Sequence, residues 1–290
     1  MKVIKSIKEL RLEIQNDRNV VLVPTMGNIH KGHLSLLRTA KEYGKTVICS
    51  IFVNPLQFGK NEDYDSYPRT LSDDIEKLQI ENPSIVFTPN TSEIYPSEQE
   101  FFVAVPKYLA KTLEGKYRSG FFQGVTTVVL KLLNCTNPKY AIFGKKDFQQ
   151  LLIIKYMCEQ FCLQTSIISS QIIRESDGLA FSSRNSYLNL EQRKKAPLLY
   201  QTILNVSVKI KKHFKLNQLT ALDLKVIETQ AESKLRLYGL KIDYVKVCMA
   251  KNLQPPNDYD LKVNANLIIL AACYLGSTRL IDNLELTLNH

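Results

Sequence analysis

The sequence predicts an α/β protein: a parallel sheet with crossover helices over residues 1–175, followed by a smaller C-terminal α+β domain over residues 176–290. Two observations carry that reading. Short apolar, β-branched runs alternate with helical patterns as far as Ile173, the pattern of strands joined by crossover helices. After Tyr187 the texture changes to long helical stretches and then to strand-like segments. A chain of 290 residues, 44% of them hydrophobic, also holds enough apolar material for two modest domains rather than one large one.

In chain order, the expected strands are Val20 to Val23, Val47 to Val53, Ile85 to Thr88, Ala141 to Phe143 and Ile167 to Ile173. Between the first two, Leu34, Leu37, Ala40 and Lys41 fall at helical spacing and Gly44 follows as a C-cap, which completes one βαβ unit. Repeated, that unit makes a Rossmann-like sheet. The join to the second domain is expected near Arg174 to Asp177. Beyond it, helical patterns run from Glu191 to Phe214 and from Ala221 to Leu237, and strand patterns from Asp243 to Met249 and from Asn266 to Ala272. No internal repeat or low-complexity tract interrupts this order.

Apolar runs such as those around Ile51 and Leu267 stop well short of the roughly 20 residues that cross a bilayer, so no membrane partner is expected. The segment Met1 to Glu13 mixes Lys, Glu and Arg with apolar residues at helical spacing, unlike the apolar core of a secretory signal. A cytoplasmic protein is expected. Its six cysteines (Cys49, Cys135, Cys158, Cys162, Cys248 and Cys273) are scattered, with no paired CxxC to suggest zinc, and they read as thiols in a reducing compartment. The net charge of +10 raises the question of nucleic acid. The lysines, however, are spread along the chain beside Glu and Asp, as on solvated helix faces. No nucleic-acid partner is expected, and the positive field favours small anionic substrates.

The strongest chemical signal is Pro24-Thr25-Met26-Gly27-Asn28-Ile29-His30-Lys31-Gly32-His33, placed where the first strand ends and the first crossover helix begins. Ligands of open α/β sheets bind outside the carboxyl ends of the strands, and a helix N-terminus offers N–H groups and a positive dipole to phosphate. Gly27 allows close backbone approach and Gly32 lets the first turn pack near a phosphate. His30 and His33, two of only four histidines, lie three apart and face the same way. Titrating near neutrality, both would donate to phosphate oxygens and stabilise charge on a departing pyrophosphate.

This segment resembles the HxGH signature of the nucleotidylyltransferase superfamily, and in its full length it resembles the pantoate–β-alanine ligase (pantothenate synthetase) family. Further blocks agree in order: Ser50 to Phe58, Tyr67-Pro68-Arg69-Thr70, Leu113-Glu114-Gly115, Phe143 to Gln150, and Asp177 to Asn185. They span most of residues 20–200, and the resemblance weakens beyond. It implies a nucleotide- and pantoate-binding first domain, a lid-like second domain, a homodimer, and the substrates ATP, pantoate and β-alanine. The implied reaction forms a pantoyl adenylate from ATP and pantoate, usually with Mg²⁺, after which β-alanine displaces AMP.

Residue by residue, the resemblance gives catalysis to His30, His33 and Lys146. It gives ATP to Met26, Gly27, His30, Gly32, His33, Gly144, Lys145, Lys146, Asp147, Ile173, Phe181, Ser182, Ser183 and Arg184. Pantoate goes to Gln57 and Gln150, whose amides suit a hydroxy acid, and β-alanine to Gln57; Asn54 is a further contact candidate. Lys146 can neutralise phosphate while Asp147 binds a ribose hydroxyl or orients the lysine. Ser182, Ser183 and Arg184 offer hydroxyls and a guanidinium fork to phosphate, whereas outside the family pattern they read as a surface turn. Asp73 and Asp74 read equally well as water-mediated Mg²⁺ ligands or as acidic residues favoured in a helix's first turn.

Two departures from the family pattern stand out. Arg118-Ser119-Gly120-Phe121-Phe122 replaces an Arg-Pro-Gly-His-Phe run, removing an imidazole, and Lys145 replaces a frequent Glu. Two other readings compete: an HxGH nucleotidylyltransferase that stops after transferring AMP or CMP, and a basic nucleic-acid-binding protein. Part of the loop Gly59 to Tyr67 is a candidate lid from its Gly and polar content.

Overall fold

Parallel pairing needs crossovers, and the amphipathic stretches between the apolar runs supply them. In the computed structural model, which describes residues 1–59, 62–262 and 265–289, the chain divides into two units, Met1–Ile173 and Arg174–His290. Of the Gly59 to Tyr67 loop, residues 60 and 61 lie outside the described residues.

The first unit runs β1 (Lys2–Ile4), α1 (Ile7–Ile14), β2 (Val21–Thr25), α2 (Lys31–Tyr43), β3 (Val47–Ile51), α3 (Leu71–Leu78), β4 (Ile85–Phe87), α4 (Thr91–Ile94), α5 (Lys107–Ala110), α6 (Glu114–Tyr117), α7 (Phe121–Thr136), β5 (Tyr140–Gly144), α8 (Phe148–Gln160) and β6 (Ser166–Ser170). Its six strands pair in the order β1-β4-β3-β2-β5-β6, all parallel, so this is a Rossmann-like sheet. Val21, Leu22 and Val23 are fully buried, as expected of a central strand covered on both faces. Leu34, Leu37 and Ala40 of α2 pack against the sheet with Val21, Val23, Val47, Cys49 and Val86. From β2 the chain moves one way through β3 and β4, then returns to lay β5 and β6 on β2's other side. This reversal opens the carboxyl ends of β2 and β5 into a crevice, where such sheets bind ligands.

The second unit contains α9 (Leu190–Lys195), α10 (Leu198–Lys215), α11 (Ala221–Leu237), β7 (Lys241–Met249), α12 (Asp258–Lys262), β8 (Ala265–Leu275) and β9 (Thr278–Leu288). Its strands form an antiparallel sheet, β7-β8-β9. Leu199, Ile203 and Ile210 of α10 and Ile227 and Leu235 of α11 share one core with Val245, Val247, Leu267 and Ile269 of the sheet.

Several elements differ from the sequence reading. The helix expected over Glu191 to Phe214 is two helices, because Pro197, which has no N–H to continue the ladder, starts α10. The last parallel strand ends at Ser170, short of Ile173. A strand, β1, precedes α1 in the segment read as helical, and β9 and α7 were not expected. α7 is rich in Val and Thr, which favours strand on propensity alone. Burial overrides that preference, and the hydroxyls of Thr126, Thr127 and Thr136 are satisfied by the carbonyls of Phe122, Gln123 and Leu132 within the helix. Among the described residues, no helix is long and apolar enough to cross a membrane.

Candidate active site

The β2–α2 loop is built from backbone geometry that few residues tolerate. Gly27 has φ +83°, and a Cβ there would stand 2.9 Å from Asp74 Oδ2. Asn28 follows, also left-handed at φ +48°. This pair of turns aims the amides of Asn28 and Ile29 at Asp74, which accepts them at 2.9 and 2.6 Å. Thr25 Oγ1 ties the start of the loop by accepting from Gly27 N at 3.2 Å and donating to Ser50 O at 2.8 Å. The chain then enters α2 with His30 as N-cap.

The two imidazoles close that helix end. Gly32 N donates to His30 Nδ1 at 3.1 Å and His30 N donates to His33 Nδ1 at 3.4 Å. The rings stack with centroids 3.9 Å apart. Because each Nδ1 accepts, each neutral ring carries its proton on Nε2, which fixes both as Nε2–H donors. Burial and the Lys146 charge lower the His30 pKa to about 4. Burial, His30 and Lys146 hold His33 well below the usual histidine range. The expectation of titration near neutrality is thereby corrected: both rings are neutral donors at pH 7.

Lys146 reaches this pair from the other side of the switch point. After Gly144 ends β5, residues Lys145–Asp147 make one 3₁₀ turn into α8. Lys145 and Lys146 are half-buried there and Asp147 is exposed. The structure therefore brings His30, His33 and Lys146 together at the N-terminus of a thirteen-residue helix, with the positive end of its dipole.

The β3 end supplies a polar cluster. Asn54, buried, caps the 3₁₀ turn Pro55–Gln57 by accepting from Leu56 N at 3.3 Å. Its Nδ2 donates to Gly124 O and to Gln57 Oε1, both at 3.1 Å. Gln57 Nε2 in turn points to Met26 Sδ at 2.8 Å, joining this cluster to the β2–α2 loop. The turn and α7 approach so closely that a Cβ on Gly124 would collide with the Leu56 carbonyl, which makes glycine obligatory there. Of the adjacent glutamines, Gln149 is spent structurally, accepting from Glu114 N and donating to the carbonyls of Leu109 and Thr112. Gln150, half-buried in the first turn of α8, makes no such bond to the described residues.

Phe121, where the sequence resemblance leads to the expectation of an imidazole, is an apolar ring. It is buried, and the Arg118 guanidinium lies 3.5 Å from its centroid. Arg118 also forks onto both Glu62 oxygens at 2.7 and 2.6 Å and reaches Gln57 O at 3.4 Å.

Asp73 and Asp74 both fall in the first turn of α3. Asp74 uses both its oxygens on the β2–α2 loop, and among the described residues no group of three or more His, Cys, Asp or Glu is placed to hold a metal ion. Asp73 is exposed on the same turn. Asp74's role as a loop anchor was missed because its partners lie 46 and 45 residues away and are backbone amides.

Ile173, half-buried, ends the first unit beyond β6. In the second unit, Phe181 and Ser182 lead into a 3₁₀ turn over Ser183–Tyr187, with Ser182 Oγ accepting from Arg184 N at 3.3 Å. A short hairpin precedes it, where Arg174 pairs with Ala180. Arg193 braces that hairpin through Asp177 and Glu175 at 2.5 and 2.7 Å, and Asn185 Nδ2 donates to Glu175 at 3.3 Å and to Ala180 O at 3.1 Å.

A parallel sheet whose switch point gathers a helix N-terminus, two imidazole donors and a lysine defines an α/β enzyme suited to nucleotide phosphates. The model of the family described as pantoate-beta-alanine ligase matches residues 2–285. A pantothenate synthetase from Thermus thermophilus is 37% identical with a TM-score of 0.87, over 98% of this chain and 99% of that one. A pantoate-beta-alanine ligase from Francisella tularensis, solved with beta-gamma ATP and beta-alanine, is 33% identical with a TM-score of 0.76, over 98% and 97%. The chain belongs to the pantoate–β-alanine ligase family, and its class is that of the ligases. The match reaches well beyond residue 200, where the sequence resemblance alone had faded.

Proposed function

We propose that this protein condenses (R)-pantoate with β-alanine at the expense of ATP, giving pantothenate, AMP and pyrophosphate through pantoyl adenylate, a step toward coenzyme A. The observation that carries the reading is the stacked His30–His33 pair, locked as neutral Nε2–H donors at the α2 N-terminus beside Lys146. The Francisella relative, by its description, binds a form of ATP together with β-alanine.

In the first step a pantoate carboxylate oxygen attacks the α-phosphorus, the Pα–O bond to pyrophosphate breaks, and pyrophosphate leaves. His30, His33 and Lys146 donate to the phosphates and stabilise the charge that grows on the leaving group, while Gln57 and Gln150 hold pantoate in line. In the second step the β-alanine amine, held near Gln57, attacks the acyl carbon, loses a proton, and expels AMP. The family resemblance assigns further ATP contacts to Met26, Gly27, Gly32, Gly144, Lys145, Asp147, Ile173, Phe181, Ser182, Ser183 and Arg184. Mg²⁺ is expected to travel on the triphosphate with its own waters, and Asp73 and Asp74 are the carboxylates proposed to reach it through water. The protein is proposed to be cytoplasmic and homodimeric, with no nucleic-acid partner.

Pyrophosphate release from ATP should depend on pantoate, and β-alanine should then yield a product with the mass of pantothenate. ATP turnover indifferent to pantoate would return the chain to the nucleotidylyltransferase reading.

A further inference from the structure

Tyr95 is a residue to which neither the sequence reading nor the family match assigns a role. It follows α4, and its hydroxyl stands 2.7 Å from Asn54 Oδ1. The direction of that bond follows from backbone groups of fixed polarity. The Gly124 carbonyl only accepts and the Leu56 N–H only donates, so Asn54 must turn Nδ2 to the first and Oδ1 to the second. Tyr95 therefore donates to Oδ1, and the remaining Nδ2 hydrogen goes to Gln57 Oε1. Gln57 is left one orientation, with its carbonyl inward and its Nε2 hydrogens toward Met26 and the switch point.

We propose that Tyr95 is a positioning residue: by donating to Asn54 Oδ1 it reinforces the orientation that Gly124 and Leu56 set, holds the Gln57 amide in place as an N–H donor, and so favours a substrate presenting a hydroxyl or carboxylate oxygen. The proposal rests on Gln57 as a pantoate ligand. Tyr95 is well held for the task. The Lys131 ammonium lies 4.6 Å from its ring centroid while donating to Ile94 O at 2.7 Å, and Phe52 packs at 6.1 Å. Burial pushes the phenol well above its ordinary pKa, so it keeps its proton at every working pH.

Tyr95→Phe removes the hydroxyl and keeps the ring with its Phe52 and Lys131 contacts. In protein labelled with ¹⁵N-glutamine, the Gln57 side-chain amide signals, assigned by their loss in Gln57→Glu, are expected to shift or broaden in Tyr95→Phe. The pantoate KM is expected to rise about fivefold, the scale of one hydrogen bond, with the ATP KM unchanged. Unchanged Gln57 signals, or pantoate and ATP KM values rising together, would overturn the proposal. A wild-type enzyme indifferent to pantoate would instead remove the functional reading, and the amide signals alone would then decide whether the relay exists.

Discussion

The proposed chemistry rests most heavily on His33, whose Nδ1 closes the helix end and whose Nε2–H is left to donate. Replacing it with alanine should keep the fold, because the loop is anchored separately by Asp74 and Thr25. Adenylate formation, followed as pantoate-dependent pyrophosphate release, is expected to fall by about two orders of magnitude, the scale of losing one preorganised donor. Near-normal turnover would remove His33 from its role. The lowered histidine pKa values make a second prediction. His30 binds its proton in the unfolded chain near 6.5 but in the folded one only near 4. Its contribution to stability is thus complete above pH 6.5 and is lost as pH falls toward 4. The ATP kcat/KM should accordingly show no acid limb near 6.5. Lys146→Met removes a charge that opposes protonation of both rings, so it should raise their pKa values, read by NMR titration, and move any acid limb upward. The histidines were legible in the sequence from spacing and position. Their protonation state was not, because it depends on burial and on a lysine more than a hundred residues away in the chain.

At the scale of elements, the β2–α2 loop is held from outside itself. Asp74→Asn keeps the size of the side chain but replaces one acceptor with an NH₂ group facing a backbone N–H, leaving a buried donor unpaired at a cost of about 1–3 kcal/mol. The variant should unfold at lower urea concentration and bind ATP more weakly, as measured by calorimetry. Unaltered stability and ATP affinity would show that the loop holds its shape alone. The βαβ alternation and the helix at Leu34, Leu37 and Ala40 could be read from periodicity, since a core-facing stripe writes itself into the sequence. α7 could not, because its Val and Thr content obscures a helix stabilised by burial on nearly every side. The break before α10 was signalled by Pro197 and overlooked within a longer helical pattern.

At the scale of the molecule, the order of strands matters more than any single motif. Only the reversal between β2 and β5 brings residues 26–33 and 144–147 to one crevice, and that order lies in pairing rather than in any local signal. The net charge of +10 fits the polyanionic co-substrate proposed for this crevice, without a concentrated basic tract. The proposed chemistry has an atomic signature at this scale. Attack by pantoate on the α-phosphorus makes one of its carboxylate oxygens the bridge of the adenylate, and that oxygen departs with AMP when the amide forms. Pantoate labelled with ¹⁸O in its carboxylate, turned over with ATP and β-alanine, should therefore give AMP carrying one ¹⁸O atom by mass spectrometry. AMP free of label alongside labelled orthophosphate or pyrophosphate would contradict the pantoyl adenylate route.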